Sequence, residues 1–105
     1  MSFTSARLAK QEKLLGRKAM EAICAARLCV VGCGRNGSAF AILAAYAGYR
    51  RFSLFDPDIV RVRNLNATLP FFRADVGKPK VSVLRERLLS LDPAIECAAR
   101  KERLG

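Results

Sequence analysis

The chain has 105 residues, of which 51% are hydrophobic, and its 19 Lys and Arg against 9 Asp and Glu give a formal charge of +10. That length excludes a multidomain enzyme with separate cofactor and substrate domains, and the hydrophobic share excludes a disordered chain. The longest apolar stretch is too short to span a bilayer, and the charged start lacks the apolar middle of a signal peptide, so no membrane partner is expected.

Residues 5–26 are rich in Ala, Leu, Lys and Glu, and Leu8, Leu15 and Ile23 recur near helical spacing. They predict an N-terminal helical arm that Gly16 divides, within a first segment of residues 1–26. Residues 27–31 are apolar, partly β-branched and end at glycine, the pattern of a buried strand in a parallel sheet. A glycine-rich turn over residues 32–37 leads into an Ala-rich helix over 38–47, which Gly48 closes. A second strand over 51–55 stops at Asp56-Pro57-Asp58. A strand, a crossover helix and a second strand favour a right-handed parallel unit. Residues 59–76 read as a functional loop, with Phe71-Phe72 as an exposed aromatic pair. A second helix follows over 78–91, with Pro79 in its first turn and Val81, Leu84, Leu88 and Leu91 on one face. Residues 94–99 predict a third strand, before a charged tail over 100–105. Residues 27–105 thus read as an α/β segment of β-α-β-α-β order, about half of a doubly wound parallel sheet.

Cys24, Cys29, Cys33 and Cys97 include no Cys-x-x-Cys pair, and the chain has no histidine, so no metal site of the Cys/His kind is expected. Cys24 and Cys29 lie among aliphatic residues and read as small core residues in a reducing cytoplasm.

Gly32-x-Gly34-x-x-Gly37 between a strand and a helix is a phosphate-binding signal. The first glycine permits the turn and the second admits phosphate to the backbone. The third lets helix and strand pack closely, while the helix N-terminus offers free amides to an anion. Asp56 ends the second strand, where a carboxylate can accept hydrogen bonds from ribose hydroxyls. Asp58 reads as a turn residue. Lys78 and Lys80 stand at the start of the second helix, at the same sheet edge as Asp56, where one of them can neutralise phosphate. These residues point to a nucleotide and leave hydride chemistry with NAD and phosphate chemistry with ATP both open.

Three stretches together carry a resemblance. They are residues 30–38 (Val-Val-Gly-Cys-Gly-Arg-Asn-Gly-Ser), 55–66 from Phe55 through Asn64-Leu65-Asn66, and 75–80 (Asp-Val-Gly-Lys-Pro-Lys). In this order and spacing the chain resembles the ThiF/MoeB/HesA family of ATP-dependent activating enzymes, related to ubiquitin-activating enzymes, over about residues 7–95. The resemblance implies a Rossmann-like fold and adenylation of the C-terminal carboxylate of a ubiquitin-like or sulfur-carrier protein, with magnesium. It implies that Gly32, Gly34 and Gly37 cradle ATP, that Asp56 holds the ribose and that Asn64 and Lys80 contact phosphates. It also implies that Arg7 sits near an arginine reaching a partner subunit's phosphates in a homodimer.

The chain departs from that pattern at several points. Arg35 replaces a middle glycine, where a cationic side chain can touch phosphate or crowd the nucleotide, and Ala67-Thr68 follow Asn66 where the family has Arg-Gln, so its phosphate-binding arginine is missing. Arg73 replaces that arginine only if the loop folds back. The family's magnesium-binding aspartate, its catalytic cysteine and its paired Cys-x-x-Cys motifs fall on parts this sequence does not contain, so the resemblance implies a truncated, degenerate or split member that is incomplete alone. Two other readings remain: an NAD-binding oxidoreductase fragment, and a small basic module for nucleic acid or an acidic partner.

Overall fold

The computed structural model describes residues 2–66 and 70–103. Helix α1 (Phe3–Leu15) starts at Ser2, whose side chain accepts the Ser5 amide at 3.0 Å. Gly16, at φ +88°, ends α1 and opens α2 (Arg17–Ala25), so it divides the arm where the sequence predicts. Strand β1 (Arg27–Val31), helix α3 (Arg35–Ala47), strand β2 (Arg51–Phe55), helix α4 (Lys80–Leu91) and strand β3 (Glu96–Arg100) follow. The connection from β2 to α4 contains two 3-10 turns, Val62–Asn66 and Arg73–Asp75.

The three strands form a parallel sheet in the order β1-β2-β3, with Val31 beside Phe55 and Phe55 beside Arg100 at its carboxyl edge. Two crossovers progressing the same way with the same hand lay both helices on one face. On that face Val30, Phe52 and Leu54 pack with Ala41, Ala44 and Ala45 of α3 and with Val81, Leu84 and Leu88 of α4. The alanines keep α3 close to the sheet. The opposite face is open: Cys29 and Ala98 are exposed, and Val31 is 58% exposed. This corrects the reading of β1 as a fully buried strand and of Cys29 as a core residue. Cys24 is half-buried, and its thiol lies 3.6 Å from the Gly48 carbonyl.

Two element starts also differ. Helix α3 begins at Arg35, not at residue 38, because Gly34 is its N-cap and the Ser38 amide donates to the Gly34 carbonyl at 2.9 Å. Helix α4 begins at Lys80, with Pro79 just outside it, because residues 77–79 are held in an extended pairing with residues 58–60. Strand β3 starts two residues later than predicted. Asp92 ends α4 and accepts the Ala94 amide at 3.0 Å, which turns the chain before it enters the sheet.

The arm docks at the amino edge of the sheet. Gly48, at φ +113°, brings α3 so near Leu8, Met20 and Ile23 that a Cβ there would touch all three. Asp92 accepts Thr4 Oγ1 at 2.8 Å and Arg7 Nε at 3.1 Å, and Gln11 donates to the Ala47 carbonyl at 2.7 Å. Burial works to raise the carboxyl pKa of Asp92. The Ala94 amide, the Thr4 hydroxyl and the Arg7 guanidinium outweigh it and hold the pKa below its ordinary value.

Candidate nucleotide site

The site is built where β1 and β2 end. Gly32, at φ +90°, donates its amide to the Phe55 carbonyl at 2.7 Å, which turns the chain sharply off β1. Its own carbonyl presses on Gly37 so closely that no Cβ fits there. The third glycine of the motif is therefore needed for packing of the first helical turn, as the sequence implies. Nothing lies near the position a Cβ would take on Gly34. The middle glycine therefore leaves open space in front of the turn.

Asp56 is 6% exposed, and both its oxygens are engaged. Oδ2 accepts the Cys33 amide at 2.7 Å and Oδ1 accepts the Asp58 amide at 2.7 Å. A carboxylate has about four lone-pair positions, so two remain for further donors such as ribose hydroxyls. The Asp56 amide donates to the Arg100 carbonyl at 3.2 Å, which ties the same point to β3. Asp58 is exposed, as a turn residue would be.

The loop after β2 returns to this edge through a short antiparallel ladder. Val60 donates to the Lys78 carbonyl at 2.8 Å, Gly77 to the Val60 carbonyl at 2.8 Å and Lys80 to the Asp58 carbonyl at 3.1 Å. The ladder brings Lys80 to the edge that carries Asp56, as the sequence predicts. Lys80 is only 8% exposed and has no ion pair or side-chain hydrogen bond among the described residues. No buried side-chain nitrogen lacks a partner among the described residues, so the Lys80 ammonium reaches solvent at this edge and can meet an arriving anion. Burial pushes the Cys33 thiol up to about 12, the Asp56 carboxylate adds to this, and the Lys80 ammonium opposes it from nearby. The Cys33 thiol therefore stays protonated at neutral pH and is no nucleophile.

The other sequence-derived candidates divide. Asn64 is half-buried in the first 3-10 turn, and its Oδ1 accepts the Arg61 amide at 2.7 Å, so its side-chain carbonyl shapes the loop. Arg35 is exposed as the first residue of α3, beside the glycine turn. Arg7 is at the opposite edge of the sheet, where it pairs with Asp92, and is not brought to the glycine turn of its own chain. Arg73 is exposed in the second 3-10 turn. Residues 67–69, where the sequence departs from the family pattern after Asn66, lie outside the described residues. No group of three His, Cys, Asp or Glu residues able to hold a metal ion occurs among the described residues.

Sequence reasoning missed a latch on the loop. Asp75 accepts the Phe72 amide at 2.7 Å and Arg87 Nη2 at 2.6 Å. Arg87 also donates to the Pro70 carbonyl at 3.3 Å, and its guanidinium lies 4.7 Å from the Phe72 ring centroid. Beneath the loop, Val60, Phe71 and Val83 form a small core of their own with Leu65. Phe71 is thus buried and Phe72 is exposed, which corrects the reading of the two as an exposed pair. Asp75 and Arg87 are 12 residues apart across Pro79, and no local pattern signals such a pair.

The model of the ThiF family matches residues 7–105. The chain is 38% identical over 85 residues to tRNA threonylcarbamoyladenosine dehydratase of Escherichia coli, covering 81% of this chain and 31% of that protein. It is 35% identical over 75 residues to the Sulfur carrier protein ThiS adenylyltransferase of the same organism, covering 71% of this chain and 30% of that protein. Its fold superposes on the crystal structure of E. coli tRNA N6-threonylcarbamoyladenosine dehydratase, TcdA, in complex with ATP, with a TM-score of 0.90 and 31% identity, over 95% of this chain and 41% of that chain. A complex of the same protein with AMP matches equally well, with a TM-score of 0.91. The chain therefore spans about a third of the length of the curated relatives it matches. No helix among the described residues is long and apolar enough to cross a membrane. The glycine turn between β1 and α3, the Asp56 that clips it and the match over residues 7–105 lead to one conclusion: the chain belongs to the ThiF family.

Proposed function

We propose that this chain binds ATP across the glycine turn and serves the adenylation of a carboxylate. The observation that carries this reading is Lys80, a largely buried side chain whose ammonium makes no ion pair among the described residues, at the same edge as a turn whose helix N-terminus favours an anion. In the reaction a carboxylate oxygen bonds to the α-phosphorus of ATP and the bond to pyrophosphate breaks. The chain's part is positioning. Gly32, Gly34 and Gly37 leave the backbone open to the phosphates, Asp56 orients the ribose, Lys80 and Arg35 neutralise phosphate charge, and Asn64 contacts phosphate as a neutral donor. No side chain needs to be a nucleophile.

The carboxylate is that of a ubiquitin-like or sulfur-carrier protein in the first reading, which the similarity to the ThiS adenylyltransferase supports. A second reading, a carboxylate borne on a tRNA, is supported by the similarity to tRNA threonylcarbamoyladenosine dehydratases of yeast, Bacillus subtilis and E. coli. Residues 27–105 form the nucleotide-binding unit and residues 1–26 its arm. The family resemblance supports a role for Arg7 toward the phosphates of a partner subunit in a homodimer, or of a complementary piece of a longer enzyme, for which it would leave its Asp92 partner. The free cysteines suit a reducing cytoplasm.

ATP–pyrophosphate exchange with a candidate carrier tests the reaction, and nucleotide binding by Asp56→Ala and Lys80→Ala tests the site. Both substitutions should weaken ATP binding. Unchanged binding in both overturns the site, and a preference for NAD over ATP favours the oxidoreductase reading.

A further inference from the structure

Helix α3 carries an unpartnered apolar ridge. Ala41, Ala44 and Ala45 pack toward the sheet, and on the far side Phe40, Leu43 and Tyr46 are each more than half exposed. They recur every three residues, so they form one row along the helix. The row holds no charge. Among the exposed residues of α3 only Arg35, at its first position, is charged, although the chain carries +10. The open face of the sheet differs, because its apolar residues alternate with Arg27, Arg51, Glu96 and Arg100. Phe3 and Val62 are exposed on separate segments. Single exposed apolar side chains are ordinary, whereas a contiguous row marks a contact surface.

The ridge is self-complementary. Counted outward from Leu43, an aromatic residue stands three positions away in each direction, Phe40 and Tyr46, and an alanine four positions away, Ala39 and Ala47. Two copies of α3 packed antiparallel about a two-fold axis at Leu43 bring Phe40 against the partner's Tyr46 twice. The flanking alanines then let the helices approach closely. An isologous interface requires this symmetry, and a contact with an unrelated protein does not. We propose that α3 is a homodimer surface, in which the Phe40, Leu43 and Tyr46 ridges of two copies pack antiparallel. The proposal rests on the homodimer reading above and names its surface. The same pairing sets the end of α3, where Arg7 Nη1 donates to the Tyr46 carbonyl at 3.4 Å, against the start of the partner's α3 beside its glycine turn. An uncharged ridge offers nothing to a polyanion or an acidic peptide. One helix pair buries less than the about 1,600 Å² of a standard interface, so Kd should be on the order of tens of micromolar.

Sedimentation of the full chain over a concentration series, without nucleotide, reads the monomer–dimer equilibrium. Leu43→Arg sets two cations on the axis and should weaken the dimer roughly tenfold or more. Val31→Arg, which adds the same charge to the open sheet face, should change it less than about twofold. Equal weakening by both overturns the proposal, because net charge and not the ridge would then govern association. Phe40→Glu and Tyr46→Lys should each weaken self-association. An equimolar mixture of the two should associate more tightly than either alone, because the antiparallel register sets the introduced carboxylate against the introduced ammonium. A mixture no tighter than its components overturns the register. Added salt should tighten the parent dimer, since it screens repulsion between two copies of like charge, and loosening by salt overturns the proposal. A parent chain that stays monomeric at roughly millimolar concentration overturns it as well. So does parent binding to phosphatidylcholine vesicles that Leu43→Arg abolishes, which would assign the ridge to a lipid surface. ATP binding is measured separately. A monomeric parent that binds ATP overturns the dimer surface alone, and a dimeric parent that does not bind ATP overturns the nucleotide reading alone.

Discussion

Asp56 Oδ2 accepts the backbone amide of Cys33 at 2.7 Å, so the carboxylate at the end of β2 braces the glycine turn at the end of β1. Its other oxygen holds the Asp58 amide at the same distance and sets the direction of the following loop. One side chain thus joins the two segments between which a nucleotide would lie. Asp56→Ala should destabilise the fold by about 1–3 kcal/mol, since it leaves a buried amide without its acceptor. It should also lower ATP affinity. Asp56→Asn can satisfy only one of the two amides and should fall between Ala and the parent in a urea titration.

Lys80 separates stability from binding. Lys80→Met keeps the side-chain volume and removes a charge that makes no ion pair among the described residues, so the unliganded fold should be about as stable as the parent. ATP affinity should fall by roughly 10- to 150-fold, the value of a lost charge-assisted hydrogen bond of about 1.5–3 kcal/mol. Calorimetry with ATP and thermal melts of both proteins check the two effects. A large loss of stability in the unliganded variant would give Lys80 a structural role instead.

The motif glycines should respond differently. Gly37→Ala drives a Cβ into the Gly32 carbonyl and should unfold the chain or cost several kcal/mol, in the manner of an overpacked core. Gly34→Ala meets nothing at a negative φ of −79° and should leave the melting temperature within a few degrees of the parent. If the open space before Gly34 receives phosphate, the same alanine should reduce ATP binding.

The arm gives a pH-dependent prediction. The Asp92 carboxyl pKa in the fold lies below its ordinary value of 3.8, so the contribution of this group is present above that value and is lost as pH falls through the folded pKa. Asp92→Asn should destabilise the chain by about 1–3 kcal/mol at pH 7, where the half-buried Arg7 loses its counterion. The gap between variant and parent should narrow below about pH 4, as the parent's own carboxylate is protonated. Urea unfolding of both proteins between pH 7 and pH 3 measures it.

Much of the architecture can be read along the chain, because the signals are local. The apolar run at Leu28 to Val31, the glycines at 32, 34 and 37, the stripe of Val81, Leu84 and Leu88, and the stop at Asp92-Pro93 each act over a few residues. They determine the order of strands and helices, the position of the glycine turn and the placement of Asp56 and Lys80 on one edge. Contacts between distant residues decide the rest. The tether from Thr4 to Asp92 spans 88 residues and the bond from Cys33 to Asp56 spans 23, and neither leaves a periodicity to detect. Which face of the sheet is covered follows from the sense of the crossovers, which is why Cys29 and Val31 are exposed despite an apolar sequence. The placement of Lys80 against the ladder and the latch from Asp75 to Arg87 exist only once the loop has folded back onto α4. The sequence by itself determined that this chain builds a nucleotide-type turn on a parallel sheet. Only the tertiary structure decided which charges are satisfied within the protein and which are left for a ligand, because pairing across long separations depends on packing and not on local order.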